Sequence, residues 1–412
     1  MSTRRTLEPR LRLGASQMPI VTLTGPRQSG KTTLCRAVFA DKPYATLEDG
    51  AVRQRATRDP LAFLESFPDG AVLDEVQRAP DLFSYLQVRS DRSARPGEWI
   101  LTGSQHFLLL RELSQSLAGR TAIFHLLPFE LSELRAYPNA LRSSLATLLE
   151  GAFPRIHELK LAPSEWLADY VATYLDRDVR DLLRVGDLST FHAFLQLAAG
   201  RTAQVLNISS LASDVGVSPS TIRSWISVLE TSFTIFLLRP QLPNVNKRVT
   251  RAPKLHFYDS GLACHLLRIR EEAQLEPHPL RGSIFESWVV GEIVKQRIHR
   301  GRRDGVFFYR DRGGLEVDLV IEDADELVAV EVKSSRTPNL DAFASLDRYQ
   351  RAIEGSILGH KRLRKVVVYA GDETIATSRG LMLPWNRLDA FDWIAGRLLD
   401  EKATDRAGEP IV

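Results

Sequence analysis

The fold of this chain is decided by one stretch, Pro19-Ile-Val-Thr-Leu-Thr-Gly25-Pro-Arg-Gln-Ser-Gly30-Lys31-Thr32. Its second half fits the pattern G-x-x-x-x-G-K-[ST], with an apolar strand pattern before it and a helical pattern after it. Glycines let the backbone curl so that successive N–H groups point at phosphate oxygens, and the following helix adds the partial positive charge of its N-terminus. The stretch therefore predicts a loop that binds the phosphates of a nucleotide.

The loop also indicates which cofactors to expect. In such loops the lysine ammonium reaches the β- and γ-phosphates, and the hydroxyl that follows binds Mg²⁺. We therefore expect ATP and Mg²⁺ as cofactors, with Lys31 acting in catalysis and Thr32 as a metal ligand. The predicted contacts to ATP come from nine consecutive residues: Gly25, Pro26, Arg27, Gln28, Ser29, Gly30, Lys31, Thr32 and Thr33.

A pair of acids supports this interpretation. The run Gly70-Ala-Val-Leu-Asp74-Glu75 is an apolar strand that ends in two carboxylates. Asp74 is suited to hold Mg²⁺ through water, and Glu75 to orient or deprotonate the attacking water. The alternative is an ordinary strand that ends in solvated acids.

A third strand, Trp99-Ile-Leu-Thr-Gly-Ser104-Gln105, also ends in polar groups. In nucleotide-binding sheets of this kind, the strand next to the phosphate loop delivers a polar side chain to the γ-phosphate. We predict that Ser104 has this role, with Gln105 or Thr102 as the other choices. Polar residues are also common at strand ends without any such role.

Arg120 comes directly before the strand pattern Thr-Ala-Ile-Phe-His-Leu-Leu. An arginine there is placed to project from the subunit edge into a neighbour's ATP site, where it would stabilise charge on the transferring phosphoryl group. The alternative is a helix that ends at Gly119, with Arg120 interacting with the helix dipole. The sequence favours neither interpretation.

Length and composition bound the rest of the chain. At roughly 150 residues per domain, 412 residues predict two or three domains. The 54 Lys and Arg against 51 Asp and Glu exclude a uniformly basic or acidic protein, so any nucleic-acid surface must be local. Two cysteines exclude a disulfide scaffold and a Cys-based zinc cluster. Because the chain has neither a long apolar run nor a signal-peptide pattern, we expect no membrane segment and a cytoplasmic location.

Residues 209–230 have the pattern of a helix-turn-helix. Gly216 allows the turn, Ser218 caps the second helix, and Pro219 takes its first position. Beyond a β-like run lies a basic segment that resembles the wing of a winged helix and would contact DNA phosphates. The alternative is a packing or oligomerisation module. The basic segment contains Lys247, Arg248, Arg251 and Lys254.

The C-terminal part contains a predicted acidic hairpin. If the strands 315–321 and 327–333 pair symmetrically about Ala324–Asp325, Asp318 faces Glu331 and Glu316 faces Lys333, all on one face of the sheet. Two facing carboxylates repel each other unless a cation neutralises them, and oxygen ligands suit Mg²⁺ or Mn²⁺. We therefore predict a metal site and a catalytic lysine, the alternative being a solvated sheet face. The predicted ligands are Asp318, Glu331 and Glu286, with Lys333 beside them.

The ordered motifs resemble a known family. GPRQSGKTTL, AVLDEVQRAP, ILTGSQ, SLAGR and LLPFELSEL resemble bacterial AAA-type (AAA+ superfamily) ATP-binding proteins with a winged-helix-like middle and a C-terminal nuclease-like domain of unknown function. The Asp…Glu-x-Lys order, with an acid on the preceding helix, resembles the PD-(D/E)XK nuclease core. One departure is visible, because no proline precedes Asp318.

The resemblance implies a fold and a function. The expected fold is α/β: a P-loop NTPase parallel sheet with helices on both faces, a winged-helix-like segment and a small restriction-endonuclease-like domain. The expected function is Mg²⁺-dependent ATP hydrolysis coupled to DNA binding or processing, in a homo-oligomer. The alternative is an ATP-dependent regulatory or interaction switch with an inactive nuclease-like domain. The predicted domains are a basic lead-in (1–18), the ATPase core (19–160), a lid and winged-helix-like segment (161–275), the nuclease-like domain (276–400) and a frayed tail (401–412).

Overall fold

The first region of the chain is a parallel five-stranded sheet with helices. The computed structural model describes residues 3–104, 117–175, 188–241 and 252–399. The strands are β1 (Ile20–Thr24), β2 (Tyr44–Thr46), β3 (Ala71–Asp74), β4 (Trp99–Gly103) and β5 (Thr121–His125). The helices are α1 (Glu8–Gln17), α2 (Lys31–Val38), α3 (Gly50–Arg58), α4 (Pro60–Glu65) and α5 (Leu82–Ser93). The strands pair in parallel in the order β2-β3-β4-β1-β5, which confirms the predicted sheet.

Both faces of this sheet are covered. Leu73 of β3 lies in an apolar cluster with Phe83 of α5, whereas its neighbour Val72 lies in a separate cluster with Leu34 of α2. Successive strand residues point to opposite faces, so the two clusters are the two faces of one sheet. This explains why the strand sequences are almost entirely apolar, as expected for a parallel sheet buried on both sides.

The middle of the chain is mostly helical. Its helices and strands, in chain order, are α6 (Leu131–Leu134), α7 (Ser144–Glu150), α8 (Pro154–Glu158), α9 (Pro163–Tyr170), α10 (Leu188–Ala199), β6 (Gln204–Val205), α11 (Ile208–Val215), α12 (Pro219–Thr231), β7 (Ile235–Pro240) and β8 (Lys254–Phe257). The two predicted helices of the helix-turn-helix are α11 and α12. Gly216 ends α11 with a φ of 81°, and the Ser218 hydroxyl caps α12 by accepting from the Thr221 N–H at 3.1 Å.

The predicted basic wing needs a correction at one residue. Lys247, Arg248 and Arg251 lie outside the described residues. Lys254 does not belong to an exposed basic segment: it begins β8, and only 1% of its side chain is exposed. Its strand pairs with β7 on one side and β6 on the other, and its ammonium contacts the carboxylates of Glu286 and Glu316.

The C-terminal region extends the sheet of the middle region. The middle region ends with α13 (Ser260–Leu266) and α14 (Glu272–Leu275), and the helices of the C-terminal region are α15 (Arg281–His299) and α16 (Ala344–Ile353). Its strands are β9 (Val306–Arg310), β10 (Glu316–Glu322), β11 (Glu326–Lys333), β12 (Arg362–Tyr369), β13 (Ile375–Thr377), β14 (Gly380–Pro384), β15 (Phe391–Asp392) and β16 (Arg397–Leu398). Strands β6 to β14 form a nine-stranded sheet in the order β13-β14-β12-β11-β10-β9-β7-β8-β6, and β15 pairs separately with β16. Because β7 pairs with β9, the sheet continues across the boundary predicted between residues 275 and 276.

Helix α15 is the central element of this region. Fourteen of its 19 residues are buried, and its apolar side chains share a cluster with Leu319 of β10 and Val330 of β11. The opposite face of the hairpin, with Val320 and Ala329, packs against α16. Within the described ranges, no helix combines the length and the apolar composition needed to cross a bilayer.

Candidate nucleotide site and acidic cluster

The phosphate loop lies between the buried strand β1 and the first residue of α2, as its sequence predicts. Gly25 has a φ of 152°, and a Cβ there would lie 2.1 Å from the Leu126 carbonyl oxygen, so only glycine fits. Gly30 caps α2 with a φ of 93°. The Lys31 ammonium donates to the carbonyls of Gly25 and Pro26 at 3.0 and 2.8 Å, which places its charge inside the curl of the loop.

Asp74 lies at the carboxyl end of β3 and receives hydrogen bonds from three hydroxyls. The Thr32 hydroxyl donates to Asp74 Oδ2 at 2.9 Å, the Tyr44 hydroxyl donates to the same oxygen at 2.6 Å, and the Thr102 hydroxyl donates to Oδ1. The two predicted ligands, Thr32 and Asp74, are thus neighbours. Burial and the Asp74 carboxylate raise the pKa of Tyr44 above its usual value, so its hydroxyl stays protonated.

Tyr44 and Thr102 were not predicted to contact Asp74. Thr102, an alternative to Ser104 for the γ-phosphate role, donates its hydroxyl to Asp74. Tyr44 lies on β2, which is next to β3 in the sheet. Strand order is a tertiary property, so the sequence contained no signal for this contact.

Glu75 is held in a strained backbone conformation beside the loop. Its φ of 54° is left-handed, which is uncommon for a residue other than glycine and recurs at functional sites. Its carboxylate Oε2 accepts from the Ser104 hydroxyl at 2.9 Å and from the Gln77 amide at 2.5 Å. Ser104 follows β4, which lies between β3 and β1. Gln105, the other alternative, lies outside the described residues.

Arg120 binds an acid of its own chain. Its guanidinium contacts both carboxylate oxygens of Asp91 on α5, at 2.5 and 3.0 Å, and donates to the Ala118 carbonyl at 3.0 Å. Arg120 precedes β5, which runs parallel to β1. The phosphate loop follows the carboxyl end of β1, so Arg120 and the loop lie at opposite ends of these two strands. The 31% exposure of Arg120 leaves it at the protein surface.

The N-terminal lead-in contributes a buried arginine to the loop. Arg5 donates to the Ser29 carbonyl inside the phosphate loop and to the Leu127 carbonyl, both at 2.7 Å. Its Nε lies 3.0 Å from the Glu133 carboxylate, and its guanidinium lies over the Phe129 ring. The sequence showed only a basic segment here; nothing marked Arg5 among its neighbours.

The same chain segment contacts α15 through buried polar groups. The Leu127 N–H donates to His299 Nε2 at 3.2 Å, which leaves His299 Nδ1 to donate to the Glu130 carboxylate at 3.1 Å. Glu292 accepts from the Leu131 N–H at 2.6 Å, and Lys295 donates to the Phe129 carbonyl at 2.7 Å. One end of α15 is thereby fixed to residues that also bind Arg5.

The other end of α15 carries Glu286. Together with Glu316, Asp318 and Glu331 of the hairpin it forms a group of carboxylates, called here the acidic cluster. The hairpin has the predicted register: Leu319 pairs with Val330, and the pairing continues to Glu322 and Leu327. The pairing ends at Leu319, one residue after Asp318, and β10 is irregular between Val317 and Val320 where it pairs with β9. Within the cluster, Asp318 accepts from the Val332 N–H at 2.8 Å, and Glu331 accepts from the Lys333 ammonium at 2.5 Å.

An unpredicted lysine lies among these carboxylates. The Lys254 ammonium is 2.8 Å from Glu286, 2.5 Å from Glu316 and 3.7 Å from Asp318. Glu316, expected to face Lys333, ion-pairs with Lys254 and Arg310 instead. In the part of the chain that the structure describes, no three or more His, Cys, Asp or Glu side chains are arranged to hold a metal ion. Two of the predicted metal ligands, Glu286 and Asp318, lie within 4 Å of the Lys254 ammonium.

Burial and mutual repulsion dominate the electrostatics of this cluster. Burial, with the Asp318 charge added, raises the pKa of Glu286 to about 8 and that of Glu331 to about 7. Burial also raises the pKa of Asp318. Burial alone would lower the pKa of Lys254, but the surrounding carboxylates outweigh it and raise that pKa. Lys254 is therefore the charge partner that the cluster requires.

The chain matches three family models in succession. Residues 17–135 match a family described as AAA domain. Residues 142–273 and 281–388 match two families described as Domain of unknown function, DUF8612 and DUF4143. The parallel sheet, the phosphate loop and the AAA match over residues 17–135 together support an AAA-type P-loop NTPase region, ATP binding and, in general, ATPase activity.

Individual similar proteins include two from mycobacteria. The chain is 29% identical over 382 residues to uncharacterized protein Rv2008c of Mycobacterium tuberculosis and to uncharacterized protein Mb2031c of Mycobacterium bovis, covering 91% of this chain and 82% of each relative. Among solved structures, the Walker-type ATPase paby2304 of Pyrococcus abyssi is 14% identical with a TM-score of 0.42, covering 64% of this chain and 97% of that one. DnaA from Aquifex aeolicus bound to AMPPCP is 16% identical with a TM-score of 0.29, covering 54% and 85%.

Proposed function

We propose that this protein hydrolyses ATP with Mg²⁺ and uses the nucleotide state to control its middle and C-terminal regions. One observation carries the proposal: the acids that end β3 each bind a residue of the nucleotide site, Asp74 to Thr32 and Glu75 to Ser104, both at 2.9 Å. These contacts bring together the phosphate loop, two oxygen groups of the kind that Mg²⁺ prefers and a carboxylate suited to act as a base, and this supports the proposal.

In this proposal, each residue of the nucleotide site has a separate role in ATP hydrolysis. Loop N–H groups and the Lys31 ammonium neutralise the phosphates, and the Thr32 hydroxyl and the Asp74 carboxylate are oxygen ligands of the kind Mg²⁺ prefers. The cation would lower the cost of charge developing on the phosphoryl oxygens. Glu75 orients or deprotonates the attacking water, and Ser104 holds its carboxylate and can reach the γ-phosphate.

The test separates ATP binding from ATP turnover. Lys31→Ala should abolish tight ATP binding, whereas Glu75→Gln should keep binding and stop turnover. Glu65→Gln is the matched control, since Glu65 is exposed on α4. ATP affinity by calorimetry and phosphate release are measured for each variant. Equal turnover for Glu75→Gln and the wild type would overturn the assignment of Glu75.

DNA binding by the middle region is a second candidate function. The order α10-β6-α11-α12-β7-β8, with β6, β8 and β7 pairing antiparallel, resembles a winged helix. The exposed face of α12 carries Ser220, Arg223 and Ser224, which would face the major groove.

A salt titration tests this second candidate. Arg223→Ala should weaken binding to duplex DNA and reduce the slope of affinity against salt, whereas Arg58→Ala, an exposed arginine on α3, should not. No salt-dependent binding by the wild type would remove DNA from the proposed function and leave a packing or interaction module.

A further inference from the structure

Lys254 reaches the acidic cluster from outside the C-terminal region. Its backbone lies on β8, opposite Leu238 of β7 and Val205 of β6. Its ammonium lies 5.5 Å from the centre of the Phe308 ring on β9. A lysine is almost never fully buried unless it is paired, so its position requires the carboxylates it meets.

The ammonium lies where a shared cation would be expected. It is within 4 Å of oxygens from Glu286, Glu316 and Asp318, which come from α15 and β10. Two of these three acids belong to the predicted metal set. The third predicted acid, Glu331, is paired with Lys333 and also accepts from the Ser345 hydroxyl at 2.7 Å.

The charges of the side chains in the acidic cluster disfavour an added divalent ion. Four carboxylates, those of Glu286, Glu316, Asp318 and Glu331, face the cations Lys254, Lys333 and Arg310. An added divalent ion would give the cluster a net positive charge in a largely buried place. To admit the ion, the Lys254 ammonium would have to leave, and β8 is paired along both edges.

We propose that the Lys254 ammonium takes the place of the divalent cation in the acidic cluster, so that the C-terminal region does not cleave phosphodiesters by a metal-dependent route. The cluster has a structural role instead: its ion pairs connect β8 of the middle region to α15 and β10. This role of Lys254 does not depend on ATP hydrolysis, because the acidic cluster and the nucleotide site share no residue.

The experiment measures Mn²⁺ binding to the full chain without nucleotide, by calorimetry and by the shift in thermal unfolding. All variants carry Asp74→Asn, which silences the nucleotide site. With Lys254 in place, we expect no Mn²⁺ binding that depends on Asp318. Lys254→Met should create such binding, and adding Asp318→Asn should remove it. Lys361→Met is the control, because Lys361 pairs with Glu322 outside the cluster.

Each outcome decides the proposal. Asp318-dependent Mn²⁺ binding with Lys254 present would overturn it, as would Mn²⁺-dependent DNA cleavage that Lys333→Ala abolishes. A folded Lys254→Met variant that gains no Mn²⁺ binding would also overturn it. If Lys254→Met does not fold, Lys254→Arg should fold and bind no Mn²⁺. The proposal is then decided by comparing Mn²⁺ binding of the protein that keeps Lys254 with and without Asp318→Asn.

Discussion

The Arg5 guanidinium donates a 2.7 Å hydrogen bond to the Ser29 carbonyl inside the phosphate loop. The contact holds one peptide group of the loop against a buried positive charge. The Arg5 side chain also pairs with Glu133, so the loop is connected to the segment that contacts α15. We therefore expect Arg5 to position the phosphate loop.

Arg5→Ala should weaken ATP binding, because the loop loses a contact that orients it. It should also lower the free energy of unfolding by about 3 kcal/mol, since Glu133 would keep a buried charge with its partner removed. Arg4→Ala is the matched control, because the Arg4 side chain is 83% exposed. Equal ATP affinity for the two variants would contradict a positioning role.

The contact between His299 and Glu130 predicts coupling between the ATPase region and α15. His299→Ala should lower the free energy of unfolding by about 2–4 kcal/mol through lost packing and the lost hydrogen bond to Glu130 Oε2. Thr6 and Ser132 still donate to Glu130 Oε1 in this variant. Combined with Glu130→Gln, the effects should be non-additive by more than about 0.5 kcal/mol. Urea unfolding of the four proteins measures the coupling, and additive effects would show that the two side chains act independently.

Ser104→Ala should reduce turnover at least about tenfold and leave ATP affinity nearly unchanged. The hydroxyl positions Glu75, so its loss affects the attacking water more than the bound phosphates. Ser16→Ala, at an exposed site on α1, should be neutral. Steady-state kinetics and equilibrium ATP binding provide the measurement; a loss of affinity without a loss of turnover would assign Ser104 to binding.

Arg120 predicts a test of assembly. If it acts in a neighbouring subunit, its pair with Asp91 must open, and mixing Arg120→Ala with Lys31→Ala subunits should restore part of the ATPase rate at shared interfaces. The planar, permanently charged guanidinium suits such a role. Sedimentation at the assay concentration accompanies the mixing experiment. Monomeric protein and no recovery would leave Arg120 as a structural partner of Asp91.

The acidic cluster predicts a pH dependence of stability. Glu286 and Glu331 have folded-state pKa values raised to about 8 and about 7, so the folded state binds more protons than the unfolded state above about pH 4.5. The contribution of these two carboxyl groups to the free energy of unfolding should be greatest below about pH 4.5, their pKa in the unfolded chain, and should fall as the pH rises towards 8. Glu286→Gln should flatten this fall in denaturant midpoints measured from pH 5 to 8. An unchanged slope would place the titration elsewhere.

Local patterns predicted those parts of the site that lie within one strand or one turn. The phosphate loop, the two acids after β3 and the polar group after β4 are each short runs whose conformation follows from glycine, from strand alternation and from helix capping. The hairpin register was also predictable, since the polar turn and the period of two leave one symmetric pairing. Tyr44 and Arg5 were not predictable, because each reaches its partner only through the packing of separate elements.

Lys254 marks the limit of what the sequence determined. In the sequence, Lys254 belongs to a basic run that predicts a DNA-contacting wing, and the acids of the hairpin predict a metal site because they need a cation. The sequence by itself determined the phosphate loop, the order of the elements and the placing of acids on the hairpin, since these depend on neighbours in the chain. Only the tertiary structure decided which cation the acids meet. Pairing of β7 with β9 brings β8 beside the C-terminal sheet, and there the buried ammonium and the carboxylates depend on each other, because either one alone would be an uncompensated buried charge.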